Sequence, residues 1–270
     1  MRYPTATTLL SFAAAAAAAS AASAGRAGTA PSPEIATATE APWITPIVDL
    51  RLRYEFADID GLDPAHALTI RERLGFKTKA WGGFSLLAEG EFTQALIDDY
   101  HGGAPGADPF DPRNSVIADP GNAELNQAYL QYSGFDTTAK LGRQRIIYDN
   151  AAFIGNVGWR QNEQTYDAIS LVNTSVPGLT LNYAYIDQVN RIFGEDATGI
   201  FQNAPGEIHL LNASYAGIKG LVLGGYIYLM RFDDAGSTGW DNDTFGVSAK
   251  GALAVWPFTA SSPGRKRPAR

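Results

Sequence analysis

Period-two alternation is the feature that most narrows the folds open to this chain. Between residues 124 and 185, runs of alternating apolar and polar residues meet tight turns and return. Longer polar, Gly-rich segments separate one pair of runs from the next. Alternation at this period makes a sheet with unlike faces. One face here carries Leu, Tyr and Ala, and the other carries Gln, Lys, Arg and Asn. The fold then depends on which face meets water.

The same pattern recurs on both sides of that stretch. In 47–56, Val48, Leu50, Leu52, Tyr54 and Phe56 share one face, opposite Asp49, Arg51, Arg53 and Glu55. In 68–80, Leu68, Ile70, Leu74, Phe76 and Ala80 oppose Thr69, Arg71, Arg73, Lys77 and Lys79, with Glu72 on the apolar side. A Gly82-Gly83 turn leads to Phe84, Leu86, Ala88 and Phe92, with Leu87 out of pattern. Adjacent glycines between alternating runs mark a short hairpin, because both can take positive φ. Further runs carry Ala128, Leu130 and Tyr132; then 137–147; then 164–173; then Leu179, Leu181, Tyr183 and Tyr185. The last three carry Leu211, Ala213 and Tyr215; Val222, Tyr226, Tyr228 and Met230; and Phe245, Val247 and Ala249.

Short turns around Gly134, Pro177-Gly178 and Gly217–Gly220 alternate with long polar segments at 97–122, 148–162, 188–206 and 233–243. A barrel with short turns at one end and exposed loops at the other produces that alternation, whereas a soluble β-sandwich has no reason to. About ten strands of near ten residues each fit tilted spanning strands. Aromatic residues cluster toward strand ends, as interfacial girdles do. These signs predict an all-β, antiparallel transmembrane β-barrel, with a soluble β fold as the alternative.

The start of the chain supports export. Arg2 begins a positive region, Leu9, Leu10, Phe12 and the run Ala13 to Ala19 form an apolar one, and Ala22-Ser23-Ala24 offers small residues at cleavage spacing. This reads as a signal peptide over 1–24, too short to span a bilayer. A disordered lead-in segment follows over 25–42, then the barrel body over 43–250. No cysteine occurs, which excludes a lipid-anchored form and a disulfide framework. Setting aside Arg2 and the terminal Arg265, Lys266, Arg267 and Arg270 leaves 16 basic against 28 acidic residues. A body at −12 argues against nucleic acid as a partner.

The words LNQAYLQYSG at Leu125, LGRQRIIYDN at Leu141, FIGNVGWRQNEQTYDA at Phe153 and VPGLTLNYAY at Val176 resemble bacterial outer-membrane porins of the alginate-export-like family. They span 125–185, about a quarter of the chain. The resemblance implies a barrel that carries solutes, polysaccharide among them, through the outer membrane. It also implies more strands than can be counted here. After Lys250 the sequence departs from that pattern. Pro257, Pro263, Pro268 and a basic cluster argue against a closing strand, so 251–270 reads as a non-barrel tail, truncated or out of frame, and the barrel as incomplete with its C-terminal part missing.

If the apolar face meets lipid, Arg51, Arg53, Arg71, Arg73, Lys77 and Lys79 point into the lumen, where basic rows attract anions. They could equally pair with Asp49, Glu55 and other lumen acids in a structural ladder. Arg143 and Arg145 join the pore-lining candidates, although alternation sets them beside Ala139 and Leu141, so that a bulge or a reversed facing must intervene. Arg160, after Trp159, could fold inward as a constriction. Acid-rich loops (Asp98, Asp99, Asp108, Asp111 and Asp119; Asp233, Asp234, Asp241 and Asp243) lack EF-hand spacing and read as solvated rather than calcium-binding. His66, His101 and His209 are too dispersed for zinc, HGGAPGAD lacks the features of a phosphate loop, and no cofactor or metal is expected. No catalytic set stands out. The expected function is therefore an outer-membrane channel for small or anionic solutes, with outer-membrane lipid as surroundings. A barrel hydrolase using His209 and Ser214 and a non-conducting adhesion barrel are the alternatives.

Overall fold

The computed structural model describes residues 42–233, 238–253 and 256–266. The expected signal peptide and nearly all of the lead-in segment lie outside them, as do Pro268 and Asp234. Eleven strands form one antiparallel sheet in chain order: β1 (Ile44–Ala57), β2 (Ala65–Thr78), β3 (Phe84–Asp99), β4 (Asn122–Gly134), β5 (Thr137–Gln144), β6 (Thr165–Asn173), β7 (Leu179–Asn190), β8 (Asn203–Ile218), β9 (Leu221–Phe232), β10 (Asn242–Leu253) and β11 (Trp256–Lys266). Every pairing joins chain neighbours, the pattern of an up-and-down barrel wall. Among the described residues the sheet does not close: β1 pairs with β2 and β11 with β10.

Side-chain exposure settles which face meets which solvent. Val48, Leu50, Leu52, Tyr54 and Phe56 on β1 are each more than half exposed. Across the sheet, Thr69, Arg71 and Arg73 on β2 are buried, as are Glu89 and Glu91 on β3. A soluble sheet would have the reverse arrangement, since bare apolar surface in water is disfavoured. A wall with hydrocarbon outside and folded-in polar segments inside requires this one. The covering segments are the long connections 100–121, 145–164 and 191–202, all on one end of the sheet, while 79–83, 135–136, 174–178 and 219–220 turn tightly at the other. Gly82 and Gly83 take φ of 59° and 87°, as the hairpin expectation requires.

Several expectations need correction. The segment 256–266 is not outside the sheet: it pairs with β10 from Trp256 opposite Leu253 to Lys266 opposite Asp243. Pro257 and Pro263 stand six residues apart, so their backbone nitrogens fall on the same edge of the strand. On a terminal strand that edge can be the unpaired one, and no ladder bond is then lost. The run 137–147 ends as a strand at Gln144. The turn near Gly134 is made by Phe135 and Asp136, both at φ 53°, with Gly134 the last residue of β4.

The facing of β9 also differs from the simplest reading of its alternation. Tyr228 is buried at 1% exposure, while Ile227 and Leu229 are exposed at 47% and 40%. Tyr226, Tyr228 and Met230 therefore face inward. Both faces of β9 are apolar, so its own alternation cannot set the facing, and the pairing of Ile227 with Leu211 and Tyr228 with Leu210 does. The consequence is an inner face of two characters. On β1–β4 it is charged. On β6–β9 it is apolar, with Tyr166, Ala168, Ala184, Ile186, Ile208, Leu210 and Tyr228 in one buried cluster with Ile146 and Ile154 of the 145–164 loop.

Candidate functional site

The charged half of the inner face begins with a conflict. Register sets Arg51 directly opposite Arg71, and like charges opposed across a pair destabilise it. Asp49, opposite Arg73, relieves it from one side through a 2.7 Å ion pair with Arg71. The 145–164 loop relieves it from the other. That loop folds back onto the wall, and Arg51 donates to Gln161 Oε1 at 2.8 Å and to the carbonyls of Gly158, Trp159 and Arg160. Gln161, fully buried, donates in turn to Thr69 Oγ1 at 2.7 Å and to the Thr69 carbonyl at 3.0 Å.

Asp119, at the end of the 100–121 loop, ties the second covering segment to the same place. Its carboxylate accepts from the Gln161 backbone N–H at 2.8 Å and pairs with Arg53 at 2.7 Å. Arg160 reaches it at 3.6 Å and pairs with Glu55 at 2.9 Å. The Tyr100 hydroxyl donates to the Asp119 carbonyl at 2.7 Å, and burial together with the nearby Asp119, Asp108 and Asp98 charges raises its pKa above the usual phenol range. Asp119 is thus a structural counter-charge rather than a solvated loop acid.

A second knot lies farther along the wall. Glu163, also fully buried, accepts from Arg145 Nε, from Asn126 at 2.6 Å and from Asn156 at 2.7 Å, with Arg73 at 3.5 Å. Arg73 also pairs with Glu91, and Arg145 with Glu89 at 2.8 Å. A bulge in β4 makes this possible. Glu89 pairs with Gln127 but Gly90 with Leu125, so the extra residue Asn126 shares the inner side with Gln127. Both amides then donate to Glu89, at 2.8 and 3.1 Å. Buried ions survive in low dielectric only when paired and hydrogen-bonded; Glu89, Glu163 and Arg145 meet both conditions, while Arg73 is held through Nε and leaves Nη2 without a hydrogen bond.

Of the pore-lining candidates, Arg51, Arg53, Arg71, Arg73, Arg145 and Arg160 all meet in these two knots. Lys77 and Lys79 lie nearer the tight turns. Lys79 sits 5.5 Å over the Trp43 ring, and Lys77 is exposed. Arg143 does not belong with them. Register sets it beside Ala128 and Asp167, on the face of Leu130 and Leu141, where it forms a bidentate pair with Asp167 at 2.7 and 3.0 Å. Arg145 reaches the inner side because β5 ends at Gln144 and the chain turns in behind it. Sequence reasoning missed Gln161, Glu163, Asn126 and Lys140. Lys140, half-buried on the inner side of β5, lies 4.7 Å over the Tyr129 ring, and parity with Gln131 was the signal that could have found it. His209 and Ser214 are five residues apart on β8 and so fall on opposite faces; His209 lies on the outer one, with Tyr183 at 2.9 Å. Among the described residues no group of three or more His, Cys, Asp or Glu could hold a metal ion.

No protein-family model matches the sequence, and no curated protein matches it. Solved structures match by fold. Acinetobacter baumannii OccAB3 superposes with a TM-score of 0.63 at 16% identity, over 84% of this chain and 58% of that one. Pseudomonas aeruginosa OccK8 (OprE) gives 0.59 at 12%, over 82% and 53%, and OccD3 (OpdP) of the same species 0.53 at 14%, over 82% and 49%. These are outer-membrane porins of the Occ and Opd group, and this chain has their antiparallel barrel-wall fold. The chain spans about half the length of the structures it matches. The likeness bears on the porin fold and not on alginate export.

Proposed function

We propose that this chain builds the wall of an outer-membrane channel for small solutes, with a preference for anions. The carrying observation is the uneven neutralisation of the inner face. Its six arginines are held in the two knots, whereas among the described residues neither Lys77 nor Lys140 has a carboxylate within ion-pair distance. Register sets Lys77 in the row of Leu87, Tyr129 and Gly142, and Lys140 in the adjacent row, so the two cations flank Tyr129. Cations without counter-charges on a polar lumen face attract anions electrostatically. The 145–164 loop folds onto the wall at Arg51, Thr69 and Asn126, nearer the loop end, and the two lysines lie beyond it toward the tight turns. Outer-membrane placement accompanies this reading, supported by the bare apolar outer face and the export-signal layout. Polysaccharide as a solute rests on the family resemblance alone.

A planar bilayer carrying the folded full chain tests this reading. Stepwise conductance with a reversal potential favouring chloride over potassium is expected, and the Lys77→Gln/Lys140→Gln pair should reduce that preference while conductance persists. Absence of steps, or unchanged selectivity in the double variant, would overturn it.

A further inference from the structure

The outer face carries three charged side chains at a depth where hydrocarbon tolerates none left bare. Exposed aromatics border its apolar band: Trp43, Trp81 and Phe84 at the turn end, Tyr54 and Phe56 toward the loop end of β1. Glu72 stands six residues from Thr78, the turn end of β2. Arg143 stands six from Thr137, the turn end of β5, and Asp167 six from Asn173, that of β6. Six residues on strands tilted by about 40° rise about 15 Å, near the middle of a band about 25 Å tall. Among the described residues of β1–β10, the other charged groups of the outer face, such as Asp187 and Arg231, stand eight or more residues up, toward the loop-end rim. Arg143 and Asp167 satisfy one another, and Asp167 also accepts from Asn190 at 3.1 Å. Glu72 has no such partner. Phe92 faces it from β3, Ile70 and Leu74 flank it, and among the described residues no cation lies within ion-pair distance.

We propose that this part of the outer face docks a second copy of the chain, with Glu72 of one copy pairing to Arg143 of the next. Charge complementarity selects the occupant. Glu72 needs a cation at its own depth, and Arg143 is the one that the outer face of β1–β10 offers among the described residues. Arg143 also has capacity left. Its Nε and Nη2 donate to Asp167 and its Nη1 to the Leu125 carbonyl at 3.1 Å, which leaves two of five guanidinium N–H groups unused among the described residues. Within one chain the two groups stand three strands apart, roughly 14 Å, and Arg143 leans away toward Asp167. An arginine between two carboxylates recurs on the inner face, where Arg73 lies between Glu91 and Glu163. The wall between the charged positions is low at the same level, because Gly90 on β3 and Ala128 on β4 stand six residues from Phe84 and Gly134. That notch lets two walls approach. Joining two different patches makes the contact heterologous, and copies with their loops on the same side repeat it around an axis along the membrane normal. Lipid covers the apolar neighbours but keeps its charges in the headgroup layers, so it leaves Glu72 unpaired.

The absence of cysteine allows a direct test. Leu74 and Leu141 lie one outward position nearer the turns than Glu72 and Arg143, each four residues from the turn end, so both charges stay in place when they are replaced. Full chains carrying Leu74→Cys and Leu141→Cys, mixed one to one in phospholipid vesicles and oxidised, should give a disulfide-linked dimer on a non-reducing gel. Neither variant alone should link beyond the collisional background of Leu211→Cys, outward on β8. Glu72→Gln added to the Leu74→Cys chain should raise the protein-to-lipid ratio for half-maximal linking by about ten- to a hundredfold, because a hydrogen-bonded charge is lost. No linking in the mixture, linking in either single variant, or an unchanged ratio with Glu72→Gln would overturn the proposal. This inference rests on the outer face standing in a membrane, as the channel reading requires, and the two can fail separately. A dye on Leu211→Cys reads the membrane placement through quenching by brominated lipid. Quenching without linking would sink the docking alone; linking without quenching would sink the membrane placement alone.

Discussion

Gln161→Ala is the sharpest test of how the 145–164 loop is held to the wall. The substitution removes one hydrogen bond from a guanidinium, Arg51 Nε to Oε1 at 2.8 Å, and from the amide two close ones, to Thr69 Oγ1 at 2.7 Å and the Thr69 carbonyl at 3.0 Å, with a long third to the Arg51 carbonyl at 3.4 Å. A bond to a charged group contributes about 1.5–3 kcal/mol net and a neutral one about 0.5–1.5 kcal/mol. Water can reach part-exposed Arg51 and replace some of its loss, which brings the total to about 3 kcal/mol. The backbone bond from residue 161 to Asp119 remains, and no strand ladder is touched. The effect should therefore be local, an opening of the loop favoured by roughly a hundredfold. Trypsin reads it directly, because the bond after Arg160 is protected while that side chain is clamped by Glu55 and Asp119. Cleavage at that bond in vesicles should rise in proportion to the open population when reclosing is faster than cutting. Ile147→Ala, on the same loop, 51% exposed and remote in sequence from the Arg160 clamp, serves as the control and should leave the rate unchanged. A Gln161→Ala rate within about threefold of wild type, at intact global stability, would show that the amide does not hold the loop.

Glu163→Gln should lower the urea midpoint of unfolding, by about 3–5 kcal/mol in free energy, because Arg145 and Arg73 lose a buried counter-charge; the double variant with Arg145→Gln should recover part of that loss. Gly75→Ala should cut the folded yield on refolding into vesicles, read as the fraction of heat-modifiable band on a gel, because the new Cβ would stand 2.2 Å from the Ala88 carbonyl oxygen and backbone cannot yield there. Leu50→Arg on the outer face should destabilise the folded state in lipid by about 2–4 kcal/mol if that face meets hydrocarbon, measured by reversible refolding; a neutral result would place it in water.

The strands and the facing of β1–β3 were legible because only one face of each is apolar, so a single parity satisfies the pattern. Leu87 shows the boundary of that logic: it breaks the outer pattern and is buried inward at 8% exposure. The sheet facing of β9 was not legible, because Tyr226, Tyr228 and Met230 are as apolar as Ile227 and Leu229. The tail misled for a different reason, since prolines forbid a central strand but not an edge strand whose ring nitrogens share one side.

The functional site was half legible. Its cations stood out as alternating charges on strands whose faces were already assigned. Their neutralisers did not, because Gln161 bonds to partners 92 and 110 residues away and nothing local in QNEQ names them. Arg51 opposite Arg71 was nonetheless a signal within reach of the sequence once the first hairpin's register is drawn: two like charges facing each other inside a wall require a third element to come in between. The chain supplies it from its long polar segments, which explains why these are rich in amides and acids rather than merely in glycine. The segments that make the loop end look disordered in sequence are therefore the ones that stabilise the charged wall. The same loop reaches the other half of the inner face with Phe153 and Ile154 instead of Gln161 and Glu163. One connection thereby covers a charged half of the inner face on one side and an apolar half on the other.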